Sequence, residues 1–397
     1  MVYCIKFRSQ KKITAIGLPH RMLNNTICPD GASCSSTLFD LNSSKVTSND
    51  TGNGTLNSEA HYNIVFKIFA ATVMVIITIA ALLGNLLVLY AFFNYHRLRN
   101  NVTNYYIASL ALSDLLTAAL VIPLEIDTFI NDSMWNKGET MCRIWTTLYL
   151  LAAPGSIINL CAVTLDRFIV LRVPLRYTEL VTPRKAVIVI ICLWVYALIT
   201  ACLPVMGWRN IKIDFILEGR CLFNLTPEYT TLMNIVNFLI PMIFMAICWS
   251  LIYQIARKHQ RRVKKLARSM SVNETTMSLT MNGVNGRPSI SEGTHTKKSI
   301  KKHLKGSKYI AIIVGVFFLC WLPYTLLSLS VSICGNRCYY ATPEELANIL
   351  LMMGYLNSAL NPYLYPFHDR QFKEAFKNIL FDIQNLTIWE IFRRKDS

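Results

Sequence analysis

Two acidic residues and one basic residue occur where the surrounding sequence is too apolar to solvate them freely. Asp114 interrupts one long apolar run, and Asp166 and Arg167 stand side by side where another gives out. Charge within such a run is costly and marks function by default. For Asp114 two readings are open. It is a carboxyl kept protonated by desolvation, or it is the anionic member of a cation site. A hard cation such as sodium takes oxygen ligands, and Ser156, Asn357, Ser358 and Asn361 carry them. Arg167 is either an interfacial side chain snorkelling to headgroups or half of an ion pair with Asp166 that opens to receive a partner. Cys142 and Cys221 fall at the ends of apolar segments, where an oxidising compartment permits a disulfide; Cys334 and Cys338 lie close enough in sequence to pair locally. The alternative for all four is a free thiol. No nucleotide loop, metal-ligand cluster or catalytic triad accompanies these residues, so an enzyme is not expected.

The elements that must position these groups are apolar helices. The 397 residues are 53% hydrophobic and 16% charged, against about a quarter charged in soluble domains. A spanning helix needs about 20 mostly apolar residues, and seven stretches qualify: 64–93, 103–130, 141–173, 185–206, 229–256, 308–332 and the less uniformly apolar 347–365. A β-barrel would alternate over shorter segments. Prolines 123, 204, 241, 323 and 362 fall inside these spans, where they free backbone groups and kink helices. Residues 368–380 read as a short amphipathic helix along the membrane face.

The fold class is therefore an all-α membrane protein, a seven-helix bundle with a short eighth helix. Residues 1–60 read as a disordered tail, 61–380 as the bundle and 381–397 as a second tail, with a long basic loop at 257–307 that is partly disordered. The net charge of +17 comes from Lys and Arg clustered beside apolar runs, which fits the positive-inside rule better than a nucleic-acid partner. Membrane lipid headgroups are a second role for the 257–307 loop, and its Ser and Thr residues are candidate phosphate acceptors. The basic loops share one side, taken as cytoplasmic. The opposite tail carries glycosylation triplets at Asn24, Asn42, Asn49 and Asn53, and the outer loops carry two more, at Asn131 and Asn224.

Motifs at Gly84-Asn85, 110–116 around Asp114, Trp135-x-x-Gly138 before Cys142, Asp166-Arg167-Phe168, Trp194, Pro241, Phe317-x-x-Cys320-Trp321-Leu322-Pro323 and Asn361-Pro362-x-x-Tyr365 with Phe372 occur in one order. With them the chain resembles a class A, rhodopsin-like G-protein-coupled receptor over about residues 62–380. The resemblance implies a plasma-membrane receptor with its amino terminus outside. Its partners would be an extracellular small molecule, a heterotrimeric G protein, arrestin and receptor kinases. It implies that Arg167 reaches the G protein, and that Asp114, Ser156, Asn357, Ser358 and Asn361 hold an allosteric sodium ion. Ile157, Pro241 and Phe317 would repack, Trp321 would sense the ligand and Tyr365 would swing inward.

The chain departs from the pattern in places. Phe168 replaces the commoner Tyr, Trp249 replaces a Tyr on the fifth helix, and His303 stands where some receptors keep an acid that locks the arginine. No Cys follows the short helix for palmitoylation. Residues 173–177, 180–184, 206–208 and Cys221-Leu222-Phe223 resemble adenosine receptors. Residues 354–358 resemble amine receptors, although Tyr149 occupies the place of their amine-binding Asp. Glu125 is either a substitute for that Asp or a solvated acid near a loop end. The pocket expected is Tyr149, Leu150, Ala153, Phe223, Asn234, Asn237, Trp321, Tyr324, Thr325, Ser328 and Tyr355, with an adenosine-like ligand ahead of an amine. A light-driven pump would need a lysine in 347–365, and there is none. A transporter or channel remains the less favoured alternative.

Overall fold

The computed structural model describes residues 53–277 and 292–395 apart from 175, 212 and 369. Lipid offers the backbone no hydrogen-bonding partner, so a spanning segment must satisfy its amides internally, as a helix does. The chain forms α1 (Asn53–Asn94), α2 (Thr103–Ile130), α3 (Gly138–Arg172) and α4 (Pro183–Cys202). Helix α5 starts as Pro227–Asn234, passes a π-turn at Ile235–Leu239 and continues as Ile240–Met277. Then come α6 (Glu292–Cys334), α7 (Glu344–His368) and α8 (Arg370–Lys395). Six of these, α1 to α6, contain a stretch long and apolar enough to cross a bilayer. Helix α7 is as long but carries Asn357, Ser358, Asn361 and Pro362, which lower its apolarity; it packs against α1, α2 and α6.

Large apolar side chains face outward: Ile68, Phe69 and Leu83 on α1, Ile188 and Ile199 on α4. Polar ones face inward, with Asn85, Asp114, Ser156, Asn357 and Asn361 all buried. This inversion suits a lipid solvent. Helix α3 lies at the centre, touching α2, α4, α5 and α6.

The two π-turns mark prolines. Thr117–Val121 in α2 lies just ahead of Pro123, and Ile235–Leu239 just ahead of Pro241. Proline lacks an N–H and crowds the preceding turn, and a wider turn absorbs the mismatch. Pro204, expected inside a span, instead lies beyond the end of α4. Pro154, not singled out from the sequence, is inside α3.

Several boundaries differ from the sequence reading. Helix α1 begins at Asn53, inside the stretch assigned to the tail. Helices α5 and α6 extend to Met277 and from Glu292 into the basic loop. Helix α8 runs to Lys395 rather than ending at 380. Asn24, Asn42 and Asn49 lie outside the described residues, as do Cys4, Cys28 and Cys34.

Candidate functional site

Three polar layers are stacked along the inside of the bundle. At the end nearest the α3–α4 connection, Arg167 bonds the neighbouring Asp166 carboxylate, Nη2 to Oδ2 at 2.9 Å. Thr103 Oγ1 donates to the same oxygen at 2.6 Å, and Tyr177 Oη donates to Oδ1 at 2.7 Å. Burial first, and then Asp166, raise the Tyr177 phenol above its ordinary value, so it remains a donor at neutral pH. Asp166 is thus held by α2, α3 and the short Tyr177–Leu180 helix, and Arg167 is 11% exposed. His303 lies in α6, but its side chain is outside the described residues. Trp249 is half-buried against the core, with an indole N–H that finds no partner among them.

In the middle layer the Asp114 carboxylate accepts three hydrogen bonds. Ser156 Oγ and Ser358 Oγ donate to Oδ1 at 3.2 and 2.8 Å, and Asn361 Nδ2 donates to Oδ2 at 2.9 Å. Asn357 is fully buried, and neither of its amide atoms has a partner among the described residues; the same holds for Asn361 Oδ1. Asn85 ties α1 to this layer by donating to the Ser358 carbonyl at 3.1 Å. Ile157, Pro241 and Phe317 are buried just below, where the Cys161 thiol meets the Pro241 carbonyl at 3.8 Å. Tyr365 packs on Phe372 of α8, ring centres 5.5 Å apart.

The third layer, at the other end of α3, is roofed by a hairpin, β1 (Ile216–Leu217) and β2 (Arg220–Cys221), in antiparallel register. Glu218 and Gly219 both have positive φ, as a two-residue type I′ turn requires. A disulfide joins Cys221 to Cys142 at the start of α3, and another joins Cys334 to Cys338. The first bond pins Phe223 over the bundle, 5.3 Å from the Tyr149 ring and edge-on to Trp145, which stacks on Trp135. Below it, Tyr149 and Tyr324 share a hydrogen bond of 3.0 Å, and Asn234 donates to Ser328 at 2.7 Å. Trp321 lies between Phe238 and Tyr324. Tyr355 Oη and Trp321 Nε1 are buried and have no hydrogen-bond partner among the described residues.

Against this geometry, the family profile "7 transmembrane receptor (rhodopsin family)" matches residues 84–365. The chain belongs to the rhodopsin family of seven-transmembrane receptors. It is therefore a multi-pass membrane receptor and not an enzyme, and receptors of this family work with a small-molecule ligand and a G protein. The receptor is similar to the 5-hydroxytryptamine receptor 4 of Cavia porcellus, 32% identical over 82% of each chain. It is similar to the alpha-1A adrenergic receptor of Mus musculus, 31% identical over 83% of this chain and 71% of that one. It is also similar to the octopamine receptor beta-2R of Chilo suppressalis, 31% identical over 84% of this chain and 86% of that one. These relatives favour the amine branch over the adenosine branch put first from the sequence.

Most of the pocket expected from sequence does come together in the receptor. Tyr149, Phe223, Trp321 and Tyr324 form one aromatic group, and Ala153 packs on the core beside them. Leu150 is half-buried on the next position of α3. Two residues turn their polar atoms elsewhere. Asn237 accepts from Tyr196 of α4 at 2.7 Å, and Thr325 donates to the carbonyl of Trp321 in its own helix at 2.8 Å.

Glu125 corrects the reading as a solvated acid: it is 6% exposed. It lies eleven residues after Asp114 with the Thr117–Val121 π-turn between them, and that turn changes the face a regular helix would give it, so spacing alone did not signal its burial. Asn224 is corrected in the other direction. As a glycan acceptor it would need an accessible amide, but it is buried and donates to the carbonyls of Asn210 and Ile213.

Proposed function

We propose that the receptor sits in the plasma membrane with its amino terminus outside, takes a small organic amine into the outer layer, and activates a heterotrimeric G protein at its inner end. The observation that carries the ligand class is the aromatic group of Tyr149, Phe223, Trp321 and Tyr324 beneath the pinned hairpin. Aromatic faces attract ammonium groups, and a largely apolar recess with few polar groups suits a small ligand. Support for the class also comes from relatives named for 5-hydroxytryptamine, adrenergic and octopamine reception. The orientation rests on the basic residues between α5 and α6.

Signalling is a shift between two packings, so the ligand must bind the active one more tightly. Arg167 would leave Asp166 to meet the G protein, while Ile157, Pro241 and Phe317 repack and Tyr365 turns inward. The middle layer fits a sodium ion. Its donors are the Asp114 carboxylate, the Ser156 and Ser358 hydroxyls and the amide oxygens of Asn357 and Asn361, all hard oxygens. Bound there, the ion would neutralise Asp114 and favour the inactive packing. Arrestin and receptor kinases would act on the cytoplasmic Ser and Thr residues after activation.

The test is a second-messenger assay in cells expressing the full chain, run across amines and purines. Responses confined to amines are the expected result. Responses to adenosine with silence to every amine would overturn the ligand class.

A further inference from the structure

We propose that the second half of α8, residues 380–395, is a peripheral membrane anchor that binds an anionic lipid leaflet without an acyl chain. Its placement at the cytoplasmic leaflet rests on the orientation proposed above; the binding itself does not.

The first half of α8 is held by protein. Phe372, Ala375, Phe376 and Ile379 are buried, at the three- and four-residue spacing of one helical face, and α8 packs on α7, α1 and the short His96–Arg99 helix. That support ends at Ile379. Every described side chain from Leu380 to Asn385 is exposed, Leu380 and Phe381 at 58% and 61%, yet the helix continues to Lys395. The overhang is about 24 Å long. Isolated helices of about 12–15 residues are marginal in water, and most helical stability comes from packing an apolar face. The overhang therefore needs a surface, and its composition indicates which. Half of residues 380–395 are Leu, Ile, Phe or Trp, and the last three are Arg393-Arg394-Lys395. Over the whole of α8, six basic residues stand against three acids, Glu374, Asp382 and Glu390, and Lys373 and Lys377 are exposed. Apolar and aromatic residues flanked by Lys and Arg suit a helix lying in an anionic membrane interface, where each basic residue adds to the attraction. The neighbouring surface already faces lipid: Tyr90 and Phe93, in the last turns of α1, are 55% and 64% exposed. The chain has no Cys after Cys338, so no acyl thioester supplies this anchorage.

The experiment reads amide hydrogen exchange of the full chain in nanodiscs of phosphatidylcholine alone and of an equal mixture of phosphatidylcholine and phosphatidylserine. Both faces of a nanodisc present the same lipid, so the result does not depend on orientation. Exchange across residues 381–395 should be about 10-fold or more slower in the mixture, with exchange in α3 the same in both lipids as the control for an intact bundle. Arg393→Gln, Arg394→Gln and Lys395→Gln together should abolish most of the difference, and Leu380→Glu with Phe381→Glu should remove the protection. Equal exchange in the two lipids, or a difference undiminished by the triple variant, would overturn the inference. So would protection that appears only when purified G protein is added, which would assign this face to a protein partner. The wild type alone decides the first comparison, so a variant that misfolds does not leave it open. An α8 end that is labelled from outside intact cells would overturn the orientation and leave the lipid binding as measured.

Discussion

Asp114 has no solvent exposure and accepts from one side chain of α3 and two of α7. A carboxylate so placed gains from a cation as much as from its donors, which is why the sodium proposal can be tested at this one atom pair. In Asp114→Asn the negative charge is removed while the size is kept. Agonist affinity in the wild type should fall as sodium chloride replaces choline chloride. In the variant that dependence should vanish, as read by competition binding at constant ionic strength. An identical sodium response in both proteins would rule out ion binding there. Asp114 was legible as a single costly charge in an apolar run. Glu125 was not, because a residue near the end of a span reads as solvated until the packing of α2 against its neighbours is known.

Helices α1 and α7 approach each other at Gly84. A Cβ there would lie 2.8 Å from Pro362 Cβ and 2.9 Å from its Cγ. The proline ring is rigid, so relief must come from the helices moving apart, and that would stretch the bond from Asn85 to the Ser358 carbonyl. Gly84→Ala should therefore destabilise the bundle by about 1–3 kcal/mol, visible as a lowered melting temperature in detergent, with reduced surface expression. A variant as stable as the wild type would show that α1 and α7 are not closely apposed. At this scale most helices could be read directly: 103–130 coincides with α2, and the others agree to within a few residues over their apolar parts. Their extensions beyond the membrane were not legible. Apolar length is the signal for a span, and helical backbone can continue past it into water, as in α5 and α6.

Across the whole molecule, the function proposed above would put recognition and output at opposite ends of α3. Tyr149 and Arg167 are eighteen positions apart, about 27 Å along a helix, and α3 packs against α5 and α6, which carry Pro241 and Phe317. Ligand binding and coupling should therefore separate by mutation. In Arg167→Ala, agonist binding should persist while agonist-stimulated nucleotide exchange on purified G protein falls to the unstimulated level. Exchange at wild-type level would remove Arg167 from the output surface.

The sequence by itself determined the membrane class, the spans, their sidedness as a proposal and the family, because each depends on local composition or on motifs read in order. The burial of Glu125 was decided only by tertiary structure, as were the α4 partner that claims Asn237 and the occlusion of the Asn224 amide. These depend on which side chains meet across helices, and periodicity alone does not specify that. A helix shows which residues share a face; the neighbour packed against that face decides whether it meets lipid, water or another side chain.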